Sequence, residues 1–185
     1  MKTMLFSVML LALLMLGACE TRTFEYVTTL SRTLDYTVDH EGAFNQTSVV
    51  TTSDLNDEMD LPEDAIIGEI YVEALAVAVE NLSNNQATAV IMDGYANDRM
   101  FVNDLVSPID PATYEFTAMA NLVSAGVKAI SDDLAAYFMT GSPPTIAFRL
   151  EGDSHPTPGE TIHIRITIEV TLTVQYALET EFPDI

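Results

Sequence analysis

Every second residue from Ile162 to Leu178 is apolar: Ile162, Ile164, Ile166, Ile168, Val170, Leu172, Val174, Tyr176 and Leu178. His163, Arg165, Thr167, Glu169, Thr171, Thr173 and Gln175 lie between them. A period of two places alternate side chains on opposite faces of a strand, one buried and one wet. At ~3.3 Å per residue the run spans ~55 Å, well beyond an ordinary strand. It is expected to bend once and to serve two neighbours. A flat edge of that length, with few charges, invites aggregation, so pairing on both sides is expected.

The amino-terminal third repeats the pattern. Phe24, Tyr26, Leu30, Leu34, Tyr36 and Val38 share one parity, with Arg32 breaking the series as a bulge or a crossing between sheets would. Both terminal runs are expected in one sheet. Residues 44–55 read as a weaker strand. Residues 66–82 fit a helix or a strand with a one-residue slip at Glu73-Ala74; the valines and the following Asn/Ser cluster favour a strand leading into a hairpin, with a return strand near 87–95. Asp93-Gly94…Asn97-Asp98 reads as a hairpin connection. Asp110 as N-cap and Pro111 as first helical residue open a helix carrying Met119, Leu122, Val123, Val127, Ile130, Leu134 and Phe138 at spacings of three and four. Gly126 interrupts that pattern, and Gly141 with Pro143-Pro144 ends it. The fold class is therefore mainly β, a β-sandwich-like domain with one α-helical excursion at about residues 111–140.

Charge narrows the partners. The chain carries 7 Lys+Arg against 28 Asp+Glu. So acidic a chain excludes nucleic acid, whose phosphates require clustered bases. It also argues against lying on an anionic leaflet through basic segments. Two readings of the acidity stand: adaptation to high salt, where cations screen a self-repelling surface, or binding of divalent cations or a basic partner. The even spread of acids and the near absence of lysine favour salt.

The first twenty residues add an address. Lys2 precedes an apolar run from Met4 to Leu16, too short to cross a bilayer and suited to a secretory signal. The tetrad Leu16, Gly17, Ala18, Cys19 holds the only cysteine of the chain. It resembles the lipobox of bacterial lipoproteins. That resemblance implies a signal peptide, residues 1–18, cleaved before Cys19, and acyl chains on Cys19 that anchor a single β-rich domain, residues 19–185, to a membrane. Removing the leader takes away Lys2 and no acid, leaving 6 basic and 28 acidic residues, a formal charge of −22. Glu20, where aspartate would retain the protein in the inner membrane, points to the outer membrane. Only Glu20, Thr21 and Arg22 separate Cys19 from the first strand-like run, so the domain is expected within ~15 Å of the headgroups.

Signals for chemistry are weak. Asp54, Asn56, Asp57, Glu58 and Asp60 have the oxygen spacing of a calcium loop, but Met59 and Ala65 stand where glycine and a bidentate glutamate belong. A solvated acidic loop is the better reading, and no metal or cofactor is expected. His40, His155 and His163 lack ligand spacing, no nucleophile setting occurs, and Asp132-Asp133 marks the wet side of the helix. The chain thus reads as a non-enzymatic, exported envelope lipoprotein, offering an acidic, Thr-rich face to a protein partner or to its own copies. The alternative is a carrier holding an amphiphile between sheet and helix, which requires a cavity of several hundred Å³.

Overall fold

The computed structural model describes residues 19–51, 61–62, 64–110 and 114–183. In chain order its elements are β1 Cys19–Glu41, β2 Phe44–Thr51, β3 Ile66–Asn81, β4 Ala89–Ala96, β5 Arg99–Pro108, β6 Thr117–Ala118, α1 Ser124–Thr140, β7 Thr145–His155 and β8 Thr161–Pro183. They form two four-stranded antiparallel sheets, ordered β1-β8-β3-β6 and β2-β7-β4-β5. The pairs β1:β8, β2:β7, β3:β6 and β4:β5 nest. The first four strands fold back on the last four as one long hairpin, which rolls into two sheets. This is jelly-roll connectivity, and it places both termini in one sheet.

The terminal strands are the longest elements. β1 and β8 pair over all 23 residues of β1, from Cys19↔Pro183 to Glu41↔Thr161, with no register shift. Even-numbered residues of both strands therefore share a face, and Leu34, Tyr36, Val38, Ile162, Ile164, Ile166 and Ile168 are buried on it. Arg32 marks neither a bulge nor a crossing: it stays in register opposite Val170 and turns inward beside Leu34, Ile130 and Leu172. The other edge of β8 carries β3, from Ile66↔Ala177 to Asn81↔Ile164. Residues 66–81 are thus strand, with a register shift between Val72 and Ala74, where the apolar parity slips.

β3 and β4 do not form the expected hairpin, because they lie in different sheets. Both edges of β3 are taken, by β8 and by β6. The Asn/Ser segment instead crosses the sandwich, with Asn84 at φ +70° and Leu82 N–H bonded to His163 O. The tight hairpin is β4–β5. Its two loop residues, Asn97 and Asp98, both have positive φ, as a type I′ turn demands. Asp93-Gly94 is not that turn: it lies within β4 at a bulge, where a Cβ on Gly94 would come 2.6 Å from the Phe101 ring.

The helix is shorter than expected. Asp110-Pro111 does not start it; α1 begins at Ser124, after Val123. The preceding residues satisfy sheet edges instead. Met119 N–H bonds to Leu75 O on β3, Asn103 N–H on β5 bonds to Asn121 O, and Val123 N–H bonds to Phe101 O. One extended segment thus closes the side of both sheets, and buried backbone left unpaired would cost more than a helical turn gains. α1 then turns Ala129, Ile130 and Leu134 into the open end of the sandwich and stops at Gly141, which is left-handed at φ +72°. Ser131 Oγ accepts the N–H of Val72, a β3 donor beyond the reach of β6.

The core is apolar and close-packed, with Phe101, Met92, Ile146, Leu150 and Ile164 among its largest fully buried side chains. Tyr36 is buried with its hydroxyl donating to Phe148 O at 3.3 Å; burial pushes the phenol's pKa well above its ordinary value. No helix among the described residues is long and apolar enough to cross a membrane.

Candidate functional site

Cys19 is the first residue of β1 and faces Pro183 at the tip of the terminal ribbon. No linker separates it from the strand, so the short tether expected from the sequence is itself sheet. Leu16, Gly17 and Ala18 lie outside the described residues, as do Asp54, Asn56, Asp57, Glu58 and Asp60.

Burial on the ribbon's inner, even-numbered face fades toward that tip. Val174 is fully buried, Tyr176 and Leu178 are half-buried, and Tyr26 and Phe24 are 42% and 40% exposed. Tyr26 and Tyr176, directly opposite each other, stack with ring centroids 5.4 Å apart. The outer, odd-numbered face carries Glu25, Val27 and Glu179 here.

Further along, the outer face of this sheet is a hydroxyl and carboxylate surface. Thr29, Ser31 and Thr33 of β1 lie opposite Thr173, Thr171 and Glu169 of β8. Ser31 and Thr171 hydroxyls are 3.1 Å apart, and Thr173 Oγ1 reaches Glu73 at 3.5 Å. Beyond them the surface is closed over. Tyr114 Oη donates to Thr167 Oγ1 at 2.8 Å, and Thr167 Oγ1 donates to Asp35 Oδ1 at 2.6 Å, leaving Thr167 buried. Tyr114 packs edge-on against Phe116.

The remaining candidates are structural. His40 Nδ1 contacts Glu41 O at 2.9 Å, and His163 Nδ1 contacts Ser83 O at 2.5 Å, tying β8 to the sheet-crossing segment. His155 precedes a cis peptide to Pro156, and its carbonyl accepts from Thr88 Oγ1 at 3.4 Å. Asp132 pairs with Lys128 on the exposed side of α1. Asp133, expected on that wet side, instead accepts Asn97 Nδ2 at 2.8 Å and faces Arg99, which pins the helix to the β4–β5 turn. Asp153 Oδ1 accepts N–H groups of Gly159 and Ser154 and closes the β7–β8 loop; the Gly159 bond foremost holds its carboxyl below the usual range. Arg149 lies over the Tyr95 ring and pairs with Glu151. No group of three or more His, Cys, Asp or Glu placed to hold a metal occurs among the described residues.

Between the sheets, beside Arg32, Val50, Ile130 and Leu172, lies a cavity of about 20 Å³, room for a single water. Larger hollows open on the surface: about 410 Å³ between β3 and α1, and about 340 Å³ where β5 meets the 115–120 segment. The sequence parity put Tyr26 and Tyr176 on apolar faces but carried no sign that burial fades toward this end. Nor did any local pattern signal the Tyr114–Thr167–Asp35 chain, whose members are far apart in sequence.

No protein family model and no curated protein matches this chain. Among solved structures, the decameric BFDV capsid protein is similar at a TM-score of 0.37 and 10% identity, over 83% of this chain and 99% of that one. A structure of turnip yellow mosaic virus gives 0.28 and 16%, over 86% of each chain. Desmodium yellow mottle tymovirus gives 0.31 and 8%, over 86% and 91%. At such scores these likenesses assign nothing to this chain.

Proposed function

We propose that this chain is a non-enzymatic, exported lipoprotein of the cell envelope, held in a membrane by acyl chains on Cys19. The observation that carries the reading is the tetrad Leu16-Gly17-Ala18-Cys19, with Cys19 opening β1 opposite Pro183 at the end of the β1–β8 pairing. One acyl chain gives marginal anchoring, and two or more make release very slow. Glu20 in place of aspartate favours the outer membrane. The Thr-rich outer face beside Glu73 and Glu169 is the surface offered to a protein partner or a second copy. The acidity fits a salt-rich surrounding.

The carrier alternative draws on the same sheet-and-helix architecture. It needs an enclosed interior of several hundred Å³; the cavity between the sheets is about 20 Å³, and the hollow of about 410 Å³ between β3 and α1 opens on the surface, which weighs against it. Mass spectrometry of the native protein tests the main reading. A mature chain beginning at an acylated Cys19 is expected, with loss of membrane association on Cys19→Ser. An unmodified thiol on a chain that keeps residues 1–18 overturns it.

A further inference from the structure

We propose that the outer edge of β1 pairs with the same edge of a second copy, antiparallel about a twofold axis at Ser31, so that the two β1-β8-β3-β6 sheets continue as one. This rests on the second-copy reading given above and does not need the anchor.

The backbone supplies the first argument. Gly42 N–H donates to Glu160 O at 3.3 Å, one step beyond the last β1:β8 pair. Antiparallel bonds alternate, so even-numbered residues of β1 exchange bonds with β8 and odd-numbered ones turn their N–H and C=O away from it. Leu82 N–H donating to His163 O fixes the same parity on β8, whose odd-numbered groups serve β3. β1 is the outermost strand of its sheet. Among the described residues, no hydrogen bond reaches the outward N–H and C=O groups of Val27, Thr29, Ser31, Thr33, Asp35 and Thr37. The opposite side of the sandwich is met from within the chain. Met119 N–H and Ser131 Oγ take up outward groups of Leu75 and Val72 on β3. On β5, Phe101 O and Asn103 N–H bond to the 121–123 segment, and Pro108 has no N–H to offer. β1 also lacks the residues that blunt a free edge: it contains no proline, glycine or lysine.

Charge sets the register and selects the occupant. The odd-numbered side chains from Thr23 to Glu41 are exposed, and the acids among them, Glu25, Asp35, Asp39 and Glu41, flank the uncharged run Val27, Thr29, Ser31, Thr33. With Ser31 on the twofold, Thr29 meets the partner's Thr33, Val27 the partner's Asp35 and Glu25 the partner's Thr37. No outward acid of β1 then stands opposite another. A shift of two residues either way sets Glu25 directly against the partner's Asp35 or the partner's Asp39, a destabilising like-charge pair. The strand is thus spaced to match itself, as a twofold interface requires. The formal −22 on each mature copy opposes association at low ionic strength. Screening to ~3 Å at 1 M salt removes most of that opposition.

The test uses the full-length protein in detergent at 1 M NaCl. Sedimentation is expected to give two chains per particle. Thr29→Pro removes one outward N–H and no bond to β8; it is expected to weaken the dimer at least about tenfold and to keep the native circular-dichroism spectrum. Crosslinking reads the register. Cysteine at position 31 lies opposite its own copy at a Cα separation of ~5.5 Å, within disulfide reach. Positions 29 and 37, exposed on the same edge, lie ~13 Å and ~40 Å from their copies. Under mild oxidation Ser31→Cys is expected to form covalent dimers at least about tenfold faster than Thr29→Cys or Thr37→Cys. The native chain is oxidised alongside. A crosslink there exposes a free Cys19 thiol and overturns the anchor, and the sedimentation of the native and Thr29→Pro chains then decides the pairing. A monomer at 1 M NaCl, equal crosslinking at the three positions, or a dimer indifferent to Thr29→Pro overturns the pairing and leaves the anchor standing.

Discussion

Gly126 lies so close to Met100 that no side chain fits between them: a Cβ on the glycine would fall 1.8 Å from the Met100 carbonyl oxygen and 2.8 Å from the Phe101 Cα. The first turn of α1 therefore rests directly on the β5 backbone. Gly126→Ala must push the helix off the strand or distort both, and it is expected to cost about 3 kcal/mol or more in urea unfolding. Gly141→Ala is the comparison. It faces open space and is penalised only for its left-handed backbone, φ +72°, at ~1 kcal/mol. Equal losses at the two positions would show that the close approach does not constrain the helix.

Asn97 ties the β4–β5 turn to both α1 and β7. Its Nδ2 donates to Asp133 Oδ2 at 2.8 Å, its Oδ1 accepts the Ala147 N–H at 3.0 Å, and its φ is +45°. Asn97→Ala removes both bonds and the residue type that tolerates the turn, an expected loss of ~2–3 kcal/mol. Asn97→Asp keeps the acceptor for Ala147 but sets one carboxylate against another. Its loss should be largely relieved by adding Asp133→Asn. A double mutant no better than Asn97→Asp alone would mean that the amide–carboxylate contact contributes nothing.

What the sequence made legible follows from how local each feature is. The Ile162–Leu178 alternation and the slip at Glu73-Ala74 are local, and both appear in the sheet at those residues. The start of α1 is not local. Asp110-Pro111 is a sound helix opening, but residues 119–123 satisfy the edges of β3 and β5, which a linear pattern cannot display. The Asn/Ser cluster after β3 suggested a hairpin, whereas the chain passes there to the other sheet. At the candidate site, the cysteine motif was readable and the fading burial along the ribbon was not. Parity placed Phe24 and Tyr26 on an apolar face, but their 40% and 42% exposure depends on where the other elements end, which a linear pattern does not carry.

Asp153 predicts a pH dependence. The N–H groups of Gly159 and Ser154 lower its folded pKa below the unfolded carboxylate value. A depressed folded pKa means that the unfolded chain binds the proton more readily. The stabilisation is therefore full above ~4, the unfolded value, and is lost as pH falls through the folded one. Asp153→Asn should be less stable than the native chain at pH 7, with the gap narrowing below about pH 4. Urea midpoints at several pH values check this; a gap independent of pH would show that the loop does not favour the carboxylate.

Salt provides the broadest test of the proposed surroundings. Lys128, Arg99, Arg149 and Arg165 each already face an acid, which leaves most carboxylates to repel one another. Screening shortens the reach of that repulsion from ~10 Å at 0.1 M to ~3 Å at 1 M salt. A chain adapted to brine is expected to gain about 3 kcal/mol, or ~10 °C in Tm, between low and molar NaCl. Exclusion of cosolute also stabilises folded proteins, so matched sucrose is the necessary control, and the NaCl gain should exceed it. Replacing the exposed Glu25 and Glu179 by Gln should flatten the salt response in the variant. A melting point indifferent to NaCl would assign the acidity to a cationic partner instead of the medium.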